Sequence, residues 1–152
     1  MQTRSRGFTL VELLVVIGIV GTLLAITLVA INPARQFAQA NNAKRSADIA
    51  NILNAITQLK VDKKGTLPVA IPTGAVALAS TTANMTTLCN AIVPIYIAAL
   101  PTDPITGAFT SCDASFDTGY NILQTSAGRI TISAPGAQAP DGGTPPVISV
   151  SR

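Results

Sequence analysis

The sequence predicts an α+β chain: a long N-terminal helix, apolar in its first half and amphipathic in its second, packed on a small antiparallel sheet at the C-terminus. Three observations predict it. An apolar run fills residues 8–31, apolar residues recur at steps of three or four from Ile49 to Leu59, and apolar/polar alternation brackets a Gly-containing turn across residues 119–133.

With 152 residues, 48% of them apolar and 11% charged, one ordinary domain is the most that a core here can support. Ten Lys and Arg against seven Asp and Glu leave a net charge of +3. A dedicated nucleic-acid binder neutralises a run of phosphates and needs more, so the total charge argues against nucleic acid as a direct partner. The chain has no histidine. That removes imidazole general bases, Ser-His-Asp and Cys-His catalysis, and the commonest transition-metal ligand, so a non-enzymatic protein without a cofactor is the expectation. Cys89 and Cys112 stand 23 positions apart, with no further Cys or His to complete a zinc site. A disulfide is the simpler use; it would contribute about 3 kcal/mol by loop closure and imply an oxidising compartment. Two unrelated buried thiols are the alternative.

From Phe8 to Ile31 the chain reads FTLVELLVVIGIVGTLLAITLVAI, 24 residues in which Glu12 is the single charge. As a helix this run would extend about 36 Å, enough to cross a hydrocarbon core of about 30 Å. A polar leader, MQTRSRG, with Arg4 and Arg6, precedes it. The run is much longer than the apolar region of roughly 7 to 15 residues in a secretory signal, and it lacks a small-residue cleavage motif at its end. Charge does not orient the span, because Arg4 and Arg6 before it are balanced by Arg35, Lys44 and Arg45 after it.

A plain anchor leaves Glu12 unexplained. A carboxylate near the bilayer centre costs on the order of 2.5 to 3.5 kcal/mol and less towards the interface, and it persists where it has a partner. Arg6, six positions away, is not its helical neighbour. Cleavage after Gly7 would give Phe8 a free α-amino group, a positive charge close to the depth of Glu12.

Arg6-Gly7-Phe8-Thr9-Leu10-Val11-Glu12-Leu13-Leu14-Val15-Val16-Ile17 resembles the class III signal of type IV pilins and of the pseudopilins of type II secretion. The resemblance implies that Gly7 ends the leader and that Phe8 begins the mature chain, after cleavage on the cytoplasmic side by a prepilin peptidase that commonly N-methylates the new terminus. It implies that Phe8 and Glu12 serve assembly, the Glu12 carboxylate meeting the amino terminus of a neighbouring subunit so that two charges neutralise each other in an apolar bundle. The partners implied are the chain itself as a helical homopolymer, the peptidase, an assembly platform with its ATPase, and the membrane before assembly. The implied location is the cytoplasmic membrane, as a single-pass precursor with its leader in the cytoplasm. The destination is a surface filament, or the periplasm for a pseudopilin.

Asn32-Pro33 interrupts the apolar run and predicts a kink or break. Helix-forming sequence then resumes, with Ile49, Ile52, Leu53, Ile56 and Leu59 on one face and a smaller stripe of Ala43, Ala47 and Ala50. Lys60, Lys63 and Lys64 suit the negative end of the helix dipole and read as a solvated terminus, with Gly65 and Pro68 supplying the stop. The expected organisation is a leader over 1–7, a membrane and filament-core helix over 8–31, an extracytoplasmic amphipathic helix over 32–64 and a β-rich domain over 65–152, a pilin-like lollipop.

Residues 66–83 read as a loop with room for one short strand, and residues 84–99 as short helices before and after Pro94. Leu100-Pro101-Thr102-Asp103-Pro104, followed by Gly107 and Tyr120, resembles the segment before the sheet in major pseudopilins and several small pilins. Residues 119–123 and 129–133 predict a hairpin around Ser126-Ala127-Gly128, with 147–151 as a third strand. The Pro- and Gly-rich residues 135–146 between them predict a flexible surface loop. Asp113 and Asp117 beside Cys112, with Asp103 near, are weak calcium candidates, because calcium takes roughly six to eight oxygens and acids are sparse here. Ordinary Asx turns are the alternative. Asn84-Met85-Thr86 matches a glycosylation sequon of only three residues, a pattern common by chance.

Three functions fit these residues: a pilus subunit, a pseudopilin forming a short periplasmic piston, and a membrane-anchored domain that never polymerises. Leu100-Pro101-Thr102-Asp103-Pro104 leans towards pseudopilin, whereas the cysteine pair and the sparse acids lean towards pilin.

Overall fold

The computed structural model describes residues 7–152; the leader residues 1–6, with Arg4 and Arg6, lie outside the described residues. The chain divides into two compact units, the first ending at Phe37 and the second running from Ala38 to Arg152.

In the first unit, helix α1 spans Leu10–Ile31. Its 22 residues would cover about 33 Å, and it is the one helix among the described residues long and apolar enough to cross a membrane. Its two threonines inside the apolar run need no outside partner. Thr22 Oγ1 donates to the carbonyls of Gly18 and Ile19, and Thr27 Oγ1 to that of Leu24, so their hydroxyls are satisfied within the helix. The expected break falls at Asn32, whose φ of 46° ends α1 in the left-handed region. Helix α2, Pro33–Asp62, begins at once with proline in its first turn, where a missing N–H costs nothing. Asn32 also serves that second start, its backbone and side-chain oxygens both accepting from Arg35 N.

In the second unit, the α2 stripe is buried as its spacing predicts, with Ile49, Ile52, Leu53, Ile56 and Leu59 all at 2% exposure or less. The sheet that covers it is antiparallel throughout. Strands β1 (Val76–Ala79), β3 (Phe116–Gln124), β4 (Ile130–Ala134) and β5 (Ile148–Ser151) lie in the order β1-β3-β4-β5, and β2 (Ala108–Phe109) pairs with the start of β3. Period-two alternation decides the face. Phe116, Thr118, Tyr120 and Ile122 point inward from β3, and Ile130, Ile132 and Ala134 from β4. Helix α3, Met85–Ile92, closes one side with Met85, Leu88, Cys89 and Ile92.

Four details differ from the sequence reading. No helix follows Pro94, because Val93 is held extended at φ −99°, ψ 133°, as the residue before proline prefers. β2, two residues long, went unseen. Gly65 does not carry the αL position that ends α2. Lys64 does, at φ 56°, while Gly65 N donates to Lys60 O and Lys64 N to Val61 O in a Schellman pattern. The loop over 135–146 is tied down in its first half. Gln138 exchanges backbone hydrogen bonds with the Asn42 side chain and accepts a third, at its Oε1, from Asn41.

Candidate functional site

Gly7, Phe8 and Thr9 form a short non-helical lead into α1, and Phe8 is 83% exposed. The Gly7–Phe8 bond therefore lies in an open stretch two residues ahead of the helix, where, among the described residues, no atom lies within 4 Å of a Cβ placed at Gly7. An exposed, unfolded strip of this kind is what a peptidase can draw into its cleft.

Glu12 is held at the same end. Thr9 is the N-cap of α1, its Oγ1 accepting from Glu12 N at 3.2 Å, and Glu12 Oε2 accepts in return from Thr9 N at 3.0 Å and Thr9 Oγ1 at 2.9 Å. This is a capping box, and it provides the carboxylate with donors inside its own chain. Glu12 thus has a partner besides a new α-amino group, and the signal for it is the Thr-x-x-Glu spacing of Thr9 and Glu12, a capping-box pattern the expectation above does not use.

Among the described residues nothing covers the apolar side chains of α1: each residue from Leu10 to Ile31 is exposed. An apolar surface this long is stable only in lipid or against other apolar helices.

The Leu100-to-Pro104 string performs a different task. Leu100 enters the core, and the Asp103 carboxylate receives Arg45 Nε at 2.5 Å and Nη2 at 3.1 Å, with both side chains at 1% exposure or less. Ile105 N and Thr106 N donate to the same carboxylate. Burial alone would raise the Asp103 pKa; the Arg45 bonds and these two N–H groups outweigh it and lower it to about 2. Beside this pair, Asp48 accepts from Lys44 Nζ and, at 2.8 Å, from Tyr120 Oη. Burial, then the Asp48 carboxylate, pushes the Tyr120 hydroxyl well above its ordinary range. The string is thus a latch between the loop and α2.

Cys89 and Cys112 are disulfide-bonded, tying α3 to the loop after β2. The structure does not gather the calcium candidates into one donor set. Asp113 accepts from Asn90 Nδ2, Asp117 from Gly119 N, and Asp103 from Arg45, and among the described residues no group of three or more acidic, Cys or His side chains is placed to hold a metal.

Residues 2–28 match the family model described as the prokaryotic N-terminal methylation motif. The chain carries a class III signal. No curated protein and no solved structure matches it. The class III signal takes in Gly7, Phe8, Thr9, Glu12 and most of α1, and it is the signal of type IV pilin-like and pseudopilin precursors. Such a signal implies prepilin-peptidase processing, filament assembly and a membrane-anchored precursor. A long apolar N-terminal helix followed by a small antiparallel sheet fits that class of subunit.

Proposed function

We propose that this chain is the precursor of a non-enzymatic structural subunit of a type IV pilus-like filament. The class III signal, set on an open Gly7–Phe8 bond ahead of a helix that the described residues leave bare, carries the reading. Cleavage releases Phe8 with a positive amino group. The Glu12 carboxylate exchanges its Thr9 donors for the amino group of a neighbouring subunit, and apolar helices pack in place of lipid. The disulfide and the Arg45–Asp103 latch brace the domain left on the filament surface.

A second reading keeps the chemistry and changes the product. Leu100-Pro101-Thr102-Asp103-Pro104 resembles the corresponding segment of major pseudopilins and favours a short periplasmic pseudopilus. Electron microscopy of sheared cells, with antibody against residues 38–152, tests the pair. Long labelled fibres support the pilus; label confined to the periplasm beside a secretion defect on deletion supports the pseudopilus; monomer in detergent with no label in any fibre contradicts both.

A further inference from the structure

The sheet ends on β5 with one side of that strand's backbone unused. Arg152 N donates to Ile130 O and Ile130 N to Arg152 O, so these two residues exchange both bonds. Such pairs recur at every second residue of an antiparallel ladder, so Val150 and Ile148, opposite Ile132 and Ala134, also turn their N–H and C=O groups towards β4. Ser149 and Ser151 therefore turn theirs away. Both residues are exposed, and among the described residues no hydrogen bond uses their N–H or C=O groups.

Two apolar side chains sit beside this bare edge. Ile148 and Val150 share the core-facing side with Ile132 and Ala134, yet each is only half-buried. Edge strands are commonly blunted by Lys, Pro or a bulge. Strand β5 has none of these: it reads ISVS and keeps an even register along β4. The other end of the sheet is protected in this way, because β1 shifts register against β3 between Ala77 and Ala79.

We propose that the β5 edge is a docking surface for β5 of a second copy of this chain, antiparallel about a two-fold axis at Ser149. The outward N–H and C=O groups restrict the occupant to an extended strand, and β5 is complementary to itself. With Ser149 opposite its counterpart, Ile148 faces Val150 of the second copy and Val150 faces its Ile148. These are two aliphatic pairs at the close spacing of non-hydrogen-bonded positions. Ser149 exchanges bonds with Ser149, and Ser151 with Val147, which is 92% exposed, giving about six hydrogen bonds and one continuous sheet. Arg152 falls opposite Pro146, so the two Arg152 residues stand about 20 Å apart along the strands. A register two residues away keeps a single Val150 pair and sets Ile148 against Arg152, which Asn54 already holds. The uncharged run over residues 142–151 gives a foreign peptide no charge to select it. Short strands bury less than the roughly 1,200 Å² of a stable interface, so pairing is weak for single chains. The inference is independent of the filament reading.

The test is a distance measurement by pulsed electron paramagnetic resonance on the full chain in a non-ionic detergent. The nitroxide is placed at Thr131→Cys, opposite Ser151 on the outer side of β4; Cys89 and Cys112 are disulfide-bonded and take no label. Paired chains set the two labels about 20 Å apart, and this distance is expected to grow in as the chain is concentrated towards about 1 mM. Ser149→Pro removes an N–H that faces away from β4, and should weaken pairing about tenfold or more with the melting temperature little changed. Ser149→Lys and Ser149→Glu should each weaken it too, because each meets its own kind across the axis, and an equimolar mixture of the two should restore it. Chains that stay monomeric at about 1 mM leave the edge to a different protein and overturn the proposal. A distance that survives Ser149→Pro overturns it as well, since α1 would then hold the copies together. So does a mixture that pairs no better than either variant alone, which would put β1 of the second copy on this edge.

Discussion

Arg45 on α2 and Asp103 in the loop before β2 form a two-pronged ion pair that is buried on both sides, 58 residues apart in the chain. Removing one partner leaves the other charge desolvated and alone. Asp103→Asn is therefore expected to destabilise the second unit by about 3 to 5 kcal/mol, whereas replacing both residues by apolar ones of similar volume should cost less than either single change. Denaturant melts of the three variants check this.

The same pair sets an acid limit. Asp103 is lowered to about 2 from an ordinary 3.8, so its contribution is fully present above pH of about 4 and is lost as pH falls through about 2. The expected loss is about 2 kcal/mol between those limits, absent in the double apolar variant, and read as Tm against pH.

Glycines around Asp103 report how closely the latch is built. A Cβ at Gly107 would lie 2.5 Å from Asp103 N, and one at Gly119, where φ is +74°, would lie 2.7 Å from Asp103 Cβ. Gly107→Ala and Gly119→Ala should each lower Tm far more than Gly74→Ala, whose Cβ meets open space.

The disulfide closes a loop of 23 residues between α3 and the segment before β3. Cys89→Ala/Cys112→Ala should cost about 3 kcal/mol, and reductant should lower the Tm of the unaltered chain but not of this variant.

At the N-terminal end, Glu12→Ala should leave cleavage intact and impair assembly. Thr9→Val keeps the Thr9 N–H donor to Glu12 but removes the hydroxyl, and should cost the start of α1 about 1 kcal/mol while assembly proceeds. Processing by mass and filament yield by shearing separate the two effects.

Features spread over many residues were legible. The apolar run declares itself by its unbroken length, and the Ile49-to-Leu59 stripe and the strands flanking Ser126-Ala127-Gly128 by a sustained period. Features that depend on meetings across the chain were not. Arg45 in a polar helical stretch reads as a solvated cation until the loop brings Asp103 onto it. β2 is too short to leave a period, and Lys64 in αL depends on a cap bond from Gly65 that propensity does not reveal.

The most direct test of the filament account is the intact mass of the protein isolated from its own host, before and after reduction and alkylation. The expected result is a chain beginning at Phe8, with or without one methyl group, and holding one disulfide. A chain that retains residues 1–7 in cells that process other prepilins would contradict it.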